Sequence, residues 1–303
     1  MGAGSVGGYL GAKLALAGNQ VTLIARGAHL EAISRSGLRL ITGDQDAILR
    51  PGTEINATGQ TADVGQVELA LLTVKTYQNA EAVAAMAPLI GPETAVLCLQ
   101  NGIDSYQEAA GALGEAHLLP GAVYLEASVS EPGVVRQSGD VVRVVFGELD
   151  GSDSSRCRGI RSTFQNAGID TEFTQDIKNA LWSKFIFIAT MAGVTSVSRR
   201  IMAQLMPEAH WREVVIGCLR EIEAVGRASG VDLDPNIVGQ TIEYIDGSLE
   251  ALSASMHADL LAGRPLELEA LNGAVVRAGR ASGVTTPVND VFYALLKPYI
   301  NGA

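Results

Sequence analysis

The chain opens on Gly2-Ala-Gly4-Ser-Val-Gly7, and no other stretch narrows its fold so far. Each glycine has its own task in a turn that joins a strand to a helix. Gly2 lets the backbone turn tightly, Gly4 offers no side chain to obstruct a pyrophosphate, and Gly7 lets the following helix approach the sheet. Ser5, Val6 and Gly7 begin that helix, whose N–H groups and positive dipole end favour a phosphate. Residues 5–17 are rich in Leu and Ala and stop at Gly18-Asn19; a strand over 21–25 follows and ends at Arg26. A bare ribose selects Asp or Glu at such a strand end, whereas a 2′-phosphate selects a cation. Gly2, Gly4, Ser5, Val6, Gly7 and Arg26 therefore point to bound NADPH, the plainer alternative for Arg26 being a loop cation. A turn of this kind normally follows a buried strand, and only Met1 precedes it. The sequence thus predicts a doubly wound sheet whose first strand is missing, from a start placed one strand too late.

With 303 residues, 47% hydrophobic and 18% charged, the chain is long enough for two domains with substantial cores. A net charge of −11 argues against nucleic acid or an anionic membrane as partner, so any anionic ligand needs locally placed cations. Cys98, Cys157 and Cys218 are widely spaced and read as buried or free thiols of a reducing compartment. His29, His117, His210 and His257 form no paired ligand motif, so no metal is expected. With no signal peptide or long apolar span evident, a soluble cytoplasmic protein is the expectation.

Residues 1–172 alternate strand and helix patterns, which predicts an α/β, Rossmann-type domain with a mostly parallel sheet. Strands are expected over 21–25, 38–42, 67–74, 95–99, 118–123, 141–147 and 170–173. Helices are expected over 5–17, 28–36, 79–90, 105–113 and 154–167. Residues 137–148 read as a hairpin or an antiparallel edge. From about 173 to 303 the pattern predicts an all-α domain, with helices near 176–195, 199–206, 209–229, 235–246, 248–262, 266–282 and 288–299. The phrase Gly-Arg-Ala-Ser-Gly-Val occurs at 226–231 and again at 279–284. It reads as two helix ends, with Gly230 and Gly283 as left-handed caps, rather than as a duplication. The apolar helix faces leave a homodimer open.

Two groups of residues can carry chemistry. Lys75, Gln78 and Asn101-Gly102 follow adjacent strands at the carboxyl edge, where such sheets bind ligands. They suit a ribose or nicotinamide, or they are a solvated lysine and a simple turn. In the helical half, Lys184 is a lone cation in the apolar run Leu181-Trp-Ser-Lys-Phe-Ile-Phe-Ile188. Desolvation lowers an amine pKa and suits it to proton transfer, the alternative being a snorkelling lysine. Ser253, Ser255 and Glu267 lie downstream: Ser255 suits a substrate carboxylate, and Glu267, near a helix start after Arg264-Pro265, is a site residue, a cap or a surface acid.

In these motifs the chain resembles the ketopantoate reductase (2-dehydropantoate 2-reductase) family, over nearly its whole length. The resemblance rests on Gly2-x-Gly4-x-x-Gly7, Arg26, Leu72-Thr-Val-Lys75-x-x-Gln78, Gln100-Asn101-Gly102, Trp182-x-Lys184, Ser253-x-Ser255-Met256-x-x-Asp259 and Glu267-x-x-x-x-Asn272-Gly273. It implies NADPH-dependent reduction of a branched 2-oxo acid to pantoate, for coenzyme A synthesis. It also implies Lys184 as general acid, Glu267 as the substrate-domain carboxylate, Ser255 as the contact for the substrate carboxylate, and Asn101 and Lys75 as cofactor-side groups. Where the family usually carries asparagines one and two turns after its lysine, this chain has Ile188 and Ala192. That departure favours a bulkier or more apolar 2-oxo acid as an alternative substrate. A third reading is a non-catalytic NADPH-binding protein.

Overall fold

A computed structural model describes residues 1–43, 45–249, 252 and 254–302. The chain forms two compact units: residues 1–100 with 105–177, and residues 101–104 with 178–303.

The first unit is the α/β one. Its elements are α1 (Ser5–Leu16), β1 (Thr22–Ile24), α2 (Gly27–Ser36), β2 (Leu38–Ile41), β3 (Asp46–Leu49), β4 (Asn56–Thr58), β5 (Leu69–Leu72), α3 (Asn79–Met86), β6 (Ala95–Cys98), α4 (Ser105–Leu113), β7 (Leu118–Glu131), β8 (Val134–Phe146), α5 (Ser155–Asn166) and β9 (Asp170–Phe173). The larger sheet runs β3-β2-β8-β7-β6-β5, with β9 also on β8; β1 and β4 form a separate parallel pair. Strands β5, β6 and β7 are mutually parallel, as apolar runs such as Ala95-Val-Leu-Cys98, buried throughout, require. Between β5 and β1 runs Met1–Ala3. The Met1 amino group donates to the Leu71 carbonyl (2.7 Å), and the Gly2 and Ala3 N–H groups both donate to the Ile24 carbonyl (3.2 and 3.0 Å).

The hairpin expected around 137–148 is present, its edge alternative and its turn position need correction, and two strands escape the sequence. The antiparallel partner of β7 is not an edge: β8 bonds β2 at one end, β9 at the other and β7 along its length. The hairpin turns at Pro132-Gly133, with Gly133 at φ +80°, well before the expected position. Its outer half, Glu126-Ala-Ser-Val-Ser-Glu131, is largely solvent-facing, so a ladder of backbone bonds holds it rather than apolar burial. Strands β3 and β4 carry too little apolar pattern to be read; each exists because β2 or β1 supplies a partner.

The second unit holds α6 (Ile177–Ser198, from its second residue), α7 (Met202–Leu205), α8 (Ala209–Ala228), α9 (Ile237–Gly247), α10 (Ser255–Leu261), α11 (Asn272–Ser282) and α12 (Pro287–Leu296). Among the described helices α6 alone is long and apolar enough to cross a membrane, yet 67% of its apolar window is buried in the protein. A helix apolar on every side is a core helix. Trp182, Phe185, Ile186 and Ala189 of α6 pack with Cys218, Leu219 and Ile222 of α8 and with Val275 of α11. The two similar phrases end α8 and α11 alike. Gly230 and Gly283 take φ +82° and +74°, and the Val231 and Val284 N–H groups reach back to the Gly226 and Gly279 carbonyls (3.1 and 2.9 Å).

Two helices begin well after their expected starts. Helix α10 starts at Ser255 rather than near 248, and α11 starts at Asn272 rather than 266. Leu266, Leu268 and Leu271 are buried, which accounts for their apolar pattern, but their segment is a turn.

A chain of polar contacts ties α8, α12, α11 and α6. The Glu221 carboxylate accepts from the Val288 and Asn289 N–H groups (2.7 and 3.0 Å) at the start of α12, and from Asn289 Nδ2 (2.8 Å). Asn289 Oδ1 accepts from Asn272 Nδ2 (2.9 Å), which also donates to the Ala189 carbonyl (3.2 Å). Asn272 and Asn289 are fully buried, so their amides depend on these partners. Glu221→Ala is expected to lower stability by about 3 kcal/mol, because it strands three donors. Urea denaturation, read as a fall in midpoint at unchanged slope, checks this.

Candidate functional site

In the first unit the glycines separate into two kinds. Gly2 has φ +93°, and a Cβ there would lie 2.7 Å from Val74 Cγ1. At Gly7 a Cβ would collide with the Gly2 carbonyl and the Thr73 hydroxyl. Packing explains both. Gly4 is different: it is exposed at an ordinary φ of −74°, and a Cβ there would meet no protein atom within 4 Å. No described side chain caps the helix that begins at Ser5, and its first turn carries no acid. An open, uncapped helix start beside a glycine that the protein does not need fits an anionic group approaching the backbone. The residues present therefore fit the pyrophosphate of a dinucleotide.

Thr73 is a support that the sequence reading missed. Its hydroxyl donates to the Met1 and Gly2 carbonyls (3.0 and 2.8 Å), pinning the turn from β5. It lies within the quoted Leu72-Thr-Val-Lys75 motif, yet only the fold shows what it holds. Lys75 is half-buried in the segment that follows β5, and its carbonyl accepts from the Gln78 N–H (2.8 Å), closing a short turn before α3. Arg26 occupies the N-cap position of α2 without a side-chain capping bond, and its guanidinium pairs with Glu81. Gln100 follows β6, with Nε2 donating to the Val74 carbonyl (2.9 Å) and to Asn79 Oδ1 (2.8 Å).

The second unit gathers a different set. Residues 101–104 belong to it, not to the sheet unit that precedes them in sequence. Gly102, at φ +110°, lies against the Ala270 carbonyl (3.0 Å from a built Cβ), Ile103 packs on the apolar core, and Asp104 pairs with Arg277 (3.3 Å). This tether presents Asn101, whose Oδ1 accepts from Lys184 Nζ at 3.0 Å. The sequence places Asn101 on both the cofactor and the substrate side, and in the fold its oxygen accepts from the helical unit's lysine. Glu267 is only 3% exposed and sits in the turn before α11, not at a helix start.

Electrostatics sets the state of Lys184. Removal from water pushes its pKa down to about 8 from the usual 10.5, and the Glu267 carboxylate opposes that fall. An amine lowered to about 8, with an amide oxygen as partner and a buried carboxylate acting on it, is chemically able to give up a proton.

One expectation on the neighbouring stripe changes. Ala192 is buried in the apolar core, so the stripe 184, 188, 192 turns inward at its third residue; Ile188 is half-buried against that core. Ser255 is exposed at the first position of α10. Ser253 lies outside the described residues.

Comparison with known proteins gives a consistent result. Residues 1–151 match the family described as Ketopantoate reductase PanE/ApbA, and residues 176–300 match its C-terminal counterpart. A 2-dehydropantoate 2-reductase of Mycobacterium tuberculosis (strain H37Rv) is 30% identical across 100% of this chain and 97% of its own length. The crystal structure of a PanE/ApbA family ketopantoate reductase from Ralstonia eutropha JMP134 is similar at a TM-score of 0.90 and 31% identity, covering 99% of this chain and 96% of that one. D-mandelate dehydrogenase, in a ternary structure with NADH and anilino(oxo)acetate, is similar at a TM-score of 0.88 and 25% identity, over 98% and 96% of the two chains.

Proposed function

This chain belongs to the ketopantoate reductase family, and we propose that it reduces the ketone of a 2-oxo acid with NADPH, ketopantoate (2-dehydropantoate) to pantoate being the first choice. The observation that carries this reading is the Lys184–Asn101 contact, with Glu267 close by and the lysine pKa lowered to about 8.

When bound, a reduced nicotinamide supplies the hydride for the ketone carbon. The chain supplies the rest. Gly4 keeps the helix start open to the pyrophosphate, Gly2 and Gly7 give the turn its shape, Ser5 and Val6 lend N–H groups, and Arg26, Lys75 and Gln78 serve as further cofactor-side groups. Lys184 meets the negative charge that develops on the carbonyl oxygen and passes it a proton from Nζ. Asn101 Oδ1 holds that ammonium in place and is a contact for the reacting groups. Glu267 keeps Lys184 charged and accepts from a substrate hydroxyl, and Ser255 donates to the substrate carboxylate. A place in pantothenate synthesis, and with it a cytoplasmic setting, follows from ketopantoate as substrate.

A second reading takes a different 2-oxo acid with a more apolar substituent. Ile188, half-buried one turn beyond Lys184, favours it, since an apolar wall discriminates poorly for a hydroxyl. NADPH oxidation measured with ketopantoate and with a panel of other 2-oxo acids decides between the two. Turnover of ketopantoate by orders of magnitude above the rest removes the second reading, and the reverse order removes the first. Turnover of none overturns both.

The lysine state adds a pH signature. The active form for reduction carries the proton, so kcat/KM is expected to be flat below about pH 8 and to fall tenfold per unit above it. Oxidation of the alcohol needs the free amine and rises over the same window. Asn101→Asp places a carboxylate against Nζ and is expected to move the limb upward by at least ~1 unit. A limb that stays put in that variant assigns it to another group.

A further inference from the structure

Arg26 and Glu81 carry an inference that rests on the dinucleotide reading and deepens it. Arg26 leaves the carboxyl end of β1, two residues after Ile24, whose carbonyl holds the Gly2 and Ala3 N–H groups of the phosphate turn. The backbone from which Arg26 extends is thus anchored beside that turn. Glu81 arrives from a different crossover, the first turn of α3. Its two oxygens lie 2.8 and 2.9 Å from Arg26 Nη1. A cation at this strand end suits a 2′-phosphate, and a carboxylate suits the 2′-hydroxyl of a bare ribose. Here both reach one place from elements 55 residues apart.

We propose that Glu81 sets the balance between phosphorylated and unphosphorylated nicotinamide dinucleotides and keeps the preference narrow. Toward a 2′-phosphate it engages the cation that the ligand needs and adds a like charge beside the incoming dianion. Toward a bare ribose it offers an acceptor for the hydroxyl. The Arg26 and Glu81 side chains are 58% and 71% exposed, so water screens the pair and a phosphate competes with the carboxylate for Arg26.

Calorimetric titration of the full chain with NADPH and NADH, with no second substrate present, tests this. The unaltered protein is expected to bind both, with affinities within about tenfold of one another. Glu81→Gln is expected to tighten NADPH about fivefold, the upper end of what an exposed ion pair holds. Glu81→Ala is expected to do the same and to weaken NADH about fivefold through the lost acceptor. Arg26→Ala is expected to weaken NADPH at least ~tenfold and to leave NADH within twofold. An NADPH-to-NADH affinity ratio that neither Glu81 variant moves overturns the inference and leaves the dinucleotide reading standing. An unaltered protein that binds neither nucleotide overturns both.

Discussion

Lys184→Ala is expected to lower kcat for ketone reduction by about 10²–10⁴, the usual worth of a positioned general acid, while NADPH binding stays within twofold. The separation follows from the fold. Lys184 belongs to the helical unit, whereas the open helix start, Arg26 and Lys75 belong to the sheet unit. Lys184→Arg sharpens the test. Arginine keeps a cation for the developing oxyanion, but its proton is held too tightly to be given up near pH 8. Its kcat falls less than that of the alanine variant, and the alkaline limb disappears from the profile. Unchanged kcat in Lys184→Ala rejects the lysine as acid. A limb near pH 8 that persists in Lys184→Arg rejects it as the titrating group.

Gly4→Ala is expected to weaken NADPH binding roughly 10- to 100-fold, the 1–3 kcal/mol that overfilling a tight contact typically costs. The melting temperature is expected to move by no more than about 2 °C, because the added methyl meets no protein atom within 4 Å. Gly7→Ala makes the contrast. Its methyl would enter the Gly2 carbonyl and the Thr73 hydroxyl, so it distorts the turn and lowers stability as well as affinity. Calorimetric titration and thermal melts on both variants separate a glycine kept for a ligand from a glycine kept for packing. Undiminished NADPH affinity in Gly4→Ala would remove the reason for placing a pyrophosphate at this turn.

Much of the fold is legible in the chain because its causes are short-ranged. The strand over 170–173 and the helix over 105–113 match Asp170–Phe173 and Ser105–Leu113 end to end. The helix ends at Gly230 and Gly283 follow from the φ that only glycine adopts easily. Short-range signals mislead where burial and helicity part company. Leu266, Leu268 and Leu271 are core residues of a turn, and their apolarity mimics a helix that begins only at Asn272. Strands β3 and β4 leave almost no trace, since their stability lies in a neighbour's backbone.

The candidate site divides in the same way. Lys184 is conspicuous as a lone cation in the apolar run from Leu181 to Ile188, and its need for a partner can be argued from desolvation alone. The identity of that partner cannot: Asn101 lies 83 residues earlier, is carried by a four-residue segment that leaves the sheet unit, and is held by Gly102 against Ala270 and by Asp104 on Arg277.

What the amino-acid order determined by itself is the part written in neighbouring residues: the glycine turn, the helix that follows it, the cation after β1, the change from α/β to all-α, and a lysine too apolar in its surroundings to be inert. What tertiary structure decided is which of these groups meet. Folding set Lys184 against Asn101 and near Glu267, drew Arg26 to Glu81, and turned Ala192 into the core. The reason is physical. A pKa shift or an ion pair exists only between groups brought within a few ångströms and partly out of water, and the order of residues along a chain carries neither the distance nor the dielectric.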